Sequence, residues 1–128
     1  MSDLLETVRI DKPWGYELIW ARTDRYVGKI LHLRAGEALS LQYHRVKDET
    51  IRLLSGRLRL EIGAADERRV LVLEPGAGFH IYPGLHHRME AIQDCDVVEV
   101  STPELDDVVR LEDRYGRVDA AKRARRPR

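Results

Sequence analysis

The feature that most constrains the fold is a short, strict alternation repeated along the chain. Leu58, Leu60 and Ile62 alternate with Arg57, Arg59 and Glu61, which is the pattern of a strand with one face buried and one in water. Similar runs lie at 16–20, 26–33, 70–73, 79–82, 88–92 and 97–101. They are separated by turn signals: the charged stretch 22–25, Arg34-Ala35-Gly36, the polar turn 63–68, the breaker-rich Glu74-Pro75-Gly76-Ala77-Gly78, Pro83-Gly84 and Gln93-Asp94. Many short strands with frequent turns predict an all-β sandwich or barrel. No internal repeat is present. Near the start, Lys12-Pro13-Trp14-Gly15 reads as a turn that tucks an indole over the domain as a plug. Near the end, 106–113 reads as a helical turn.

The central stretch, Gly36 to Gly56, carries the chemistry. Leu39, Leu41 and Tyr43 alternate with Ser40, Gln42 and His44, so Gln42 and His44 share one face of a strand. A turn at 45–48 follows. Glu49 then opens a second strand bearing Ile51, Leu53 and Leu54, and the two strands read as a hairpin. An amide oxygen, an imidazole and a carboxylate brought to one side form a ligand set for a first-row metal that lacks one more imidazole. His87, in Pro83-Gly84-Leu85-His86-His87-Arg88, is the candidate. With two histidines, Gln42 and Glu49 and no thiolate, the set accepts zinc, manganese, iron, cobalt or nickel. Gln42 is the weakest member and has an alternative role as a hydrogen-bond partner to a ligand. His86 falls on the opposite face from His87, and His32 and His80 read as packed or exposed.

The 128 residues suit one domain with a single core. The 22 basic and 22 acidic residues balance, which gives no reason to expect nucleic-acid or membrane binding by the body of the chain. A lone cysteine, Cys95, excludes an intrachain disulfide and points to a reducing compartment. No signal peptide is legible at the N-terminus, and no run reaches the ~18 apolar residues of a membrane span. A cytoplasmic protein is expected. The end, 118–128, contains five basic side chains and reads as a solvated flexible tail behind a domain spanning 1–117.

The spacing of these residues is similar to the two signatures of the cupin superfamily. In the first, Gly36 is followed after five residues by Gln42, where the family has its first histidine, then by His44, Glu49 and Gly56. The second runs from Gly76 through Tyr82-Pro83-Gly84 to His87. The family usually has proline at the position of Tyr82 and asparagine at that of Ala91. A narrower resemblance covers nearly the whole chain. Lys12-Pro13-Trp14-Gly15, Leu39-Ser40-Leu41-Gln42-Tyr43-His44, Gly84-Leu85-His86-His87-Arg88 and the run from Asp107 to Arg117 resemble the isomerase domain of type II phosphomannose isomerases. In that family the domain is often fused behind a mannose-1-phosphate guanylyltransferase domain, for which 128 residues leave no room. The family tends to have further histidines where this chain has Arg45, Val46 and Thr50.

The resemblance implies a single antiparallel jelly-roll barrel with a short helical or irregular C-terminal tail, one divalent metal ion and a homodimer. It implies aldose–ketose isomerisation of a sugar phosphate, with mannose-6-phosphate as the family's substrate. Lys29, Tyr43, His80 and Glu90 are then candidates for proton transfer, with Arg88, Arg110 and Arg117 for the phosphate. The terminal arginines have a competing role in ion pairs with Glu112 and Asp113. Two other functions fit the same scaffold. One is a metal-containing module that binds a sugar or small acid without turnover. The other is an iron-dependent oxygenase.

Overall fold

The strongest alternation folds into a hairpin. In the computed structural model, which describes residues 3–118, β6 (Leu58–Ile62) pairs antiparallel with β7 (Arg69–Leu73). A 3-10 turn, Ala65–Glu67, lies between them. Leu58, Leu60 and Ile62 are buried, each contributing roughly 1.5–3 kcal/mol of transfer free energy.

Eleven strands make two antiparallel sheets. The six-stranded sheet runs β1 (Val8–Lys12), β2 (Gly15–Arg22), β3 (Val27–Leu33), β10 (Cys95–Ser101), β5 (Glu49–Ser55), β8 (Gly78–Ile81). The five-stranded sheet runs β11 (Val109–Glu112), β4 (Leu41–Tyr43), β9 (His87–Ala91), β6, β7. Their facing sides enclose one core that includes Leu31, Leu33, Ile51, Leu53, Met89 and Val97. This is the expected all-β jelly roll.

Two local expectations need correction, and one strand was not anticipated. Strands β4 and β5 do not form a hairpin. β4 pairs with β11 and β9, β5 pairs with β10 and β8, and the turn at 45–48 carries the chain from one sheet to the other. Alternation reports which face of a strand is buried, not which sheet holds the strand. The region 106–113 is not a helical turn. Its centre is strand β11, which closes the small sheet beside β4 through a bulged register. The segment before Pro13 is also a strand, β1, whose exposed residues pair fully with β2 from Val8↔Ile19 to Lys12↔Gly15.

Pro13 and Trp14 are therefore the two loop residues of a hairpin, and Trp14 turns into the core, 2% exposed. Gly15 makes this possible: a Cβ there would fall 1.8 Å from the His32 carbonyl oxygen. At the end of β5, Gly56 (φ 89°) turns the chain toward β6, and a Cβ would meet the Asp94 carbonyl at 2.0 Å. At the C-terminal end Val118 is buried. Residues 119–128, the expected basic tail, lie outside the described residues. Among the described residues no helix is long and apolar enough to cross a membrane.

Candidate metal centre

Inward-facing positions change character along the strands. β5 points Glu49, Ile51 and Leu53 inward; β9 points His87, Met89 and Ala91; β10 points Cys95, Val97, Glu99 and Ser101. At one end of the barrel these positions are apolar, and at the other they are ionisable. His44, at the end of β4, joins the ionisable end.

There His44, Glu49 and His87 meet, each almost fully buried, with one donor atom apiece lying within 4.8 Å of the others. His44 Nε2 is 3.1 Å and His87 Nε2 is 3.5 Å from Glu49 Oε1. The far side of each ring fixes its tautomer. His44 Nδ1 lies 2.6 Å from the Asp107 carbonyl and His87 Nδ1 lies 2.9 Å from the Leu85 carbonyl. A carbonyl only accepts, so both Nδ1 atoms carry the proton and donate it. In the neutral rings both Nε2 lone pairs then face a carboxylate oxygen. His87 Nε2 is buried without a hydrogen-bond partner. A cation bound at its centre would satisfy this arrangement. A proton bridges two atoms, whereas three converging donors suit a multi-coordinate ion, and the mixed nitrogen–oxygen set fits a first-row divalent metal.

Gln42 sits opposite His87 in the β4–β9 register and lines the same cavity as His44. Its Oε1 accepts a 2.5 Å hydrogen bond from Ser40 Oγ, which leaves a second lone pair.

Beside His44 and Gln42 lies a cavity of ≈ 100 Å³, whose lining does not include Glu49 or His87. This is room for several waters. Its walls are charged. Lys12, Lys29, Lys47, Arg110 and Arg117 face Glu17 and Glu99. Lys29 Nζ is 3.3 Å from Glu17 Oε1 in a nearly dry ion pair. Lys47 Nζ lies 3.1 Å from Glu49 Oε2 and 3.3 Å from Glu99 Oε2. Burial favours neutral Lys47, but Glu99 and Glu49 more than offset it, and the ammonium is held above its ordinary range. Glu99 is raised as well: burial and then the Glu49 charge push it up to about 7. Burial would raise Glu49 too, but hydrogen bonds donated by the His44 and His87 rings when protonated at Nε2, with the Lys47 ammonium, hold it well below the usual carboxylate range.

The candidates divide by strand parity. Lys29, Arg110 and Arg117 reach the cavity. Arg117 is also held by Asp113 at 3.0 Å, as the ion-pair reading expects, whereas Arg110 Nε is buried without a hydrogen-bond partner. The other candidates stay outside it. Tyr43 stacks on His86 at 5.0 Å. Arg88 donates to the Glu112 carbonyl. Glu90 pairs with Arg114 and Arg59, and His80 pairs with Asp48 at the surface. Glu17, Lys47 and Glu99 were not anticipated, although Glu99 shares parity with Val97 and Cys95, which was a usable signal. The residues that replace the further histidines, Arg45, Val46 and Thr50, are all exposed.

Residues 29–101 match the family model described as the cupin domain. The chain is a cupin. Over 113 residues this cupin is 37% identical to the mannose-1-phosphate guanylyltransferase ManC of Salmonella typhimurium and 35% identical to the mannose-1-phosphate guanylyltransferase of Escherichia coli. Each match takes in 84% of this cupin but only 22% and 23% of the relatives, so the chain spans about a fifth of their length. Among solved structures, the capsular polysaccharide assembling protein CapF of Staphylococcus aureus superposes with a TM-score of 0.70 at 19% identity, over 84% of this chain and 34% of that one. KdgF from Halomonas sp. gives 0.65 at 20% identity, over 77% of this cupin and 90% of its own chain. At such identities the likeness is one of fold.

Proposed function

We propose that this cupin is a metal-dependent aldose–ketose isomerase acting on a phosphorylated sugar of the mannose-6-phosphate type. The observation that carries the reading is the pair of fixed imidazole tautomers aimed, with Glu49, at one buried point, with His44 also lining a cavity of lysines and arginines. His44, Glu49 and His87 would hold the ion, with Gln42 beside them. A bound divalent ion supplies Lewis-acid polarisation of the sugar carbonyl. The chain's own groups do the rest. Arg110 and Arg117 offer guanidinium donors to the phosphate at the cavity wall. The Lys29–Glu17 pair is what we assign to proton transfer between the two carbons: the Glu17 carboxylate takes a proton from C2, the Lys29 ammonium gives one to C1, and the pair then re-equilibrates its proton. The relatives' names support a mannose phosphate as the substrate class.

The exposure of Arg45, Val46 and Thr50 bears on the alternative of binding without turnover. That alternative drew on the histidines missing at these positions, and side chains there do not line the cavity. The test is direct. Purified protein is loaded in turn with zinc, manganese, iron, cobalt and nickel, given fructose-6-phosphate, and assayed for mannose-6-phosphate. Turnover with at least one metal is expected. Metal and sugar phosphate bound with no turnover would leave the binding module as the function.

A further inference from the structure

We infer that Asp107 is the positioning residue of the metal centre. It clamps the segment entering β11 onto the 44–47 stretch and thereby aims two of the three groups that address Glu49, His44 and Lys47. The inference rests on the metal reading above. Asp107 makes four contacts with four consecutive residues 60 to 63 positions earlier in the chain. Its Oδ1 accepts from the Arg45 amide at 3.1 Å, and its Oδ2 accepts from the amides of Val46 at 2.7 Å and Lys47 at 2.8 Å. Its own carbonyl accepts the His44 Nδ1 proton at 2.6 Å. Three successive amides converging on one carboxylate form an anion nest, and they hold the Asp107 carboxyl below its usual range.

The consequence reaches both oxygens of Glu49. His44, oriented from behind by the Asp107 carbonyl, presents Nε2 to Oε1. Lys47, fixed at its backbone by the Asp107 carboxylate, sends Nζ to Oε2 and to Glu99. Little else fixes the Asp107 carbonyl. Thr102 ties the start of the segment to Asp48 through two hydrogen bonds, but between it and β11 the backbone bonds are local, Leu105 N to the Pro103 carbonyl, Asp107 N to the Glu104 carbonyl and Val108 N to the Asp106 carbonyl. β11 itself joins β4 through a bulged three-pair register. Without the carboxylate clamp, the acceptor that sets the His44 tautomer would wander, and the ring would lose its aim.

The test titrates Co²⁺ into the wild type, Asp107→Ala, Asp107→Asn and the neighbouring control Asp106→Ala, following the visible absorption of the bound ion. In the metal-free proteins, ¹⁵N NMR reads the His44 tautomer. For Asp107→Ala we expect Co²⁺ affinity to fall about 10–100-fold, with a changed absorption spectrum and a mixed His44 tautomer. Asp107→Asn, which keeps one acceptor oxygen but turns an NH₂ toward amide donors, should lose affinity in the same direction. Asp106→Ala should match the wild type. Should Asp107→Ala fail to fold, Asp107→Asn carries the same comparison. Wild-type affinity, spectrum and tautomer in folded Asp107 variants would overturn the role of Asp107 and leave the metal centre standing. Absence of Co²⁺ binding by the wild type would remove both.

Discussion

The two ends of the barrel interior are built from the same strands by the same alternation, yet they do opposite things. On β5, Glu49 and Leu53 face the same interior about 13 Å apart, four residues at ~3.3 Å each. Leu53 packs among Leu33, Leu58 and Val97 and is fully buried. Glu49 is just as buried but is surrounded by His44, His87 and Lys47. The apolar end stabilises the fold by removing hydrocarbon from water. The ionisable end gathers groups whose desolvation is unfavourable, and they are tolerated because each is paired or aimed at a common centre. Stability is thus concentrated at one end and chemistry at the other, and substitutions should separate them.

The sharpest separation is between those two residues. Leu53→Ala should destabilise the metal-free protein by about 2–5 kcal/mol, since it removes buried methyl groups and leaves a cavity. Glu49→Gln, nearly isosteric, should shift metal-free stability by less than about 1.5 kcal/mol, because Lys47 keeps Glu99 as a partner. Metal affinity should respond in reverse, with Glu49→Gln losing more than ~100-fold and Leu53→Ala little. Urea unfolding and metal titration on the same samples check both. Equal stability losses would mean that the ends are not distinct.

A second separation uses the ion itself. In wild-type protein, metal at about 100 times its Kd should raise unfolding free energy by roughly 2.7 kcal/mol. In His87→Ala the gain should vanish, because the variant removes the Nε2 that has no protein partner. Calorimetric scans with and without metal measure this. A persisting gain would place the ion elsewhere.

How much of this division was legible beforehand follows from what alternation reports. It identifies the inward face of a strand, so the burial of Leu58, Leu60 and Ile62 and the shared face of Val27, Lys29, Leu31 and Leu33 could be read directly. It does not identify the neighbouring strand, so β4 and β5 looked like a hairpin when they belong to opposite sheets. Val8 and Ile10 alternate with Arg9 and Asp11 as a strand would, but the acidic start and the following turn obscured the pattern. For Val109–Glu112, helix and strand were equally open to so short a segment, and pairing with β4 decided it. His44, Glu49 and His87 stood out because their residue types are rare together at that spacing. Glu17, Lys47 and Glu99 did not, because a charged residue in a strand is ordinarily assigned to water, and only tertiary pairing makes its burial tolerable. The parity that excludes Tyr43, Arg88 and Glu90 from the cavity was available in principle, but it needed the sheet assignment to be applied.

A third comparison sets two arginines of similar local sequence on opposite sides of the wall. Arg110 lines the cavity, while Arg88 donates to the Glu112 carbonyl outside it, and the Nε of each is buried without a hydrogen-bond partner. If the enzyme acts on a sugar phosphate, Arg110→Ala should raise KM about tenfold or more, the value of one charge-assisted hydrogen bond, with a smaller change in kcat. Arg88→Ala should leave KM within about twofold. Steady-state kinetics on both variants decide it, and the reverse order would move the phosphate to the outer face.

The smallest effect belongs to Glu90, whose side chain is 25% exposed between Arg114 at 2.8 Å and Arg59 at 3.4 Å. It alternates with His87 and Met89 on β9 and therefore points away from the ion. Surface pairs of this kind contribute about 0–1 kcal/mol each, and Arg59 retains Glu61 and Arg114 the Gly36 carbonyl when Glu90 is neutralised. Glu90→Gln should accordingly change stability by less than about 1 kcal/mol, weaken further with added salt, and leave metal affinity and turnover unchanged. Lys29→Met, on the inner face, should abolish turnover while metal stays bound, so the pair of variants isolates parity from charge. Loss of turnover in Glu90→Gln with Lys29→Met active would assign the proton transfer to the outer face of β9, and the polar interior would then be a binding surface alone.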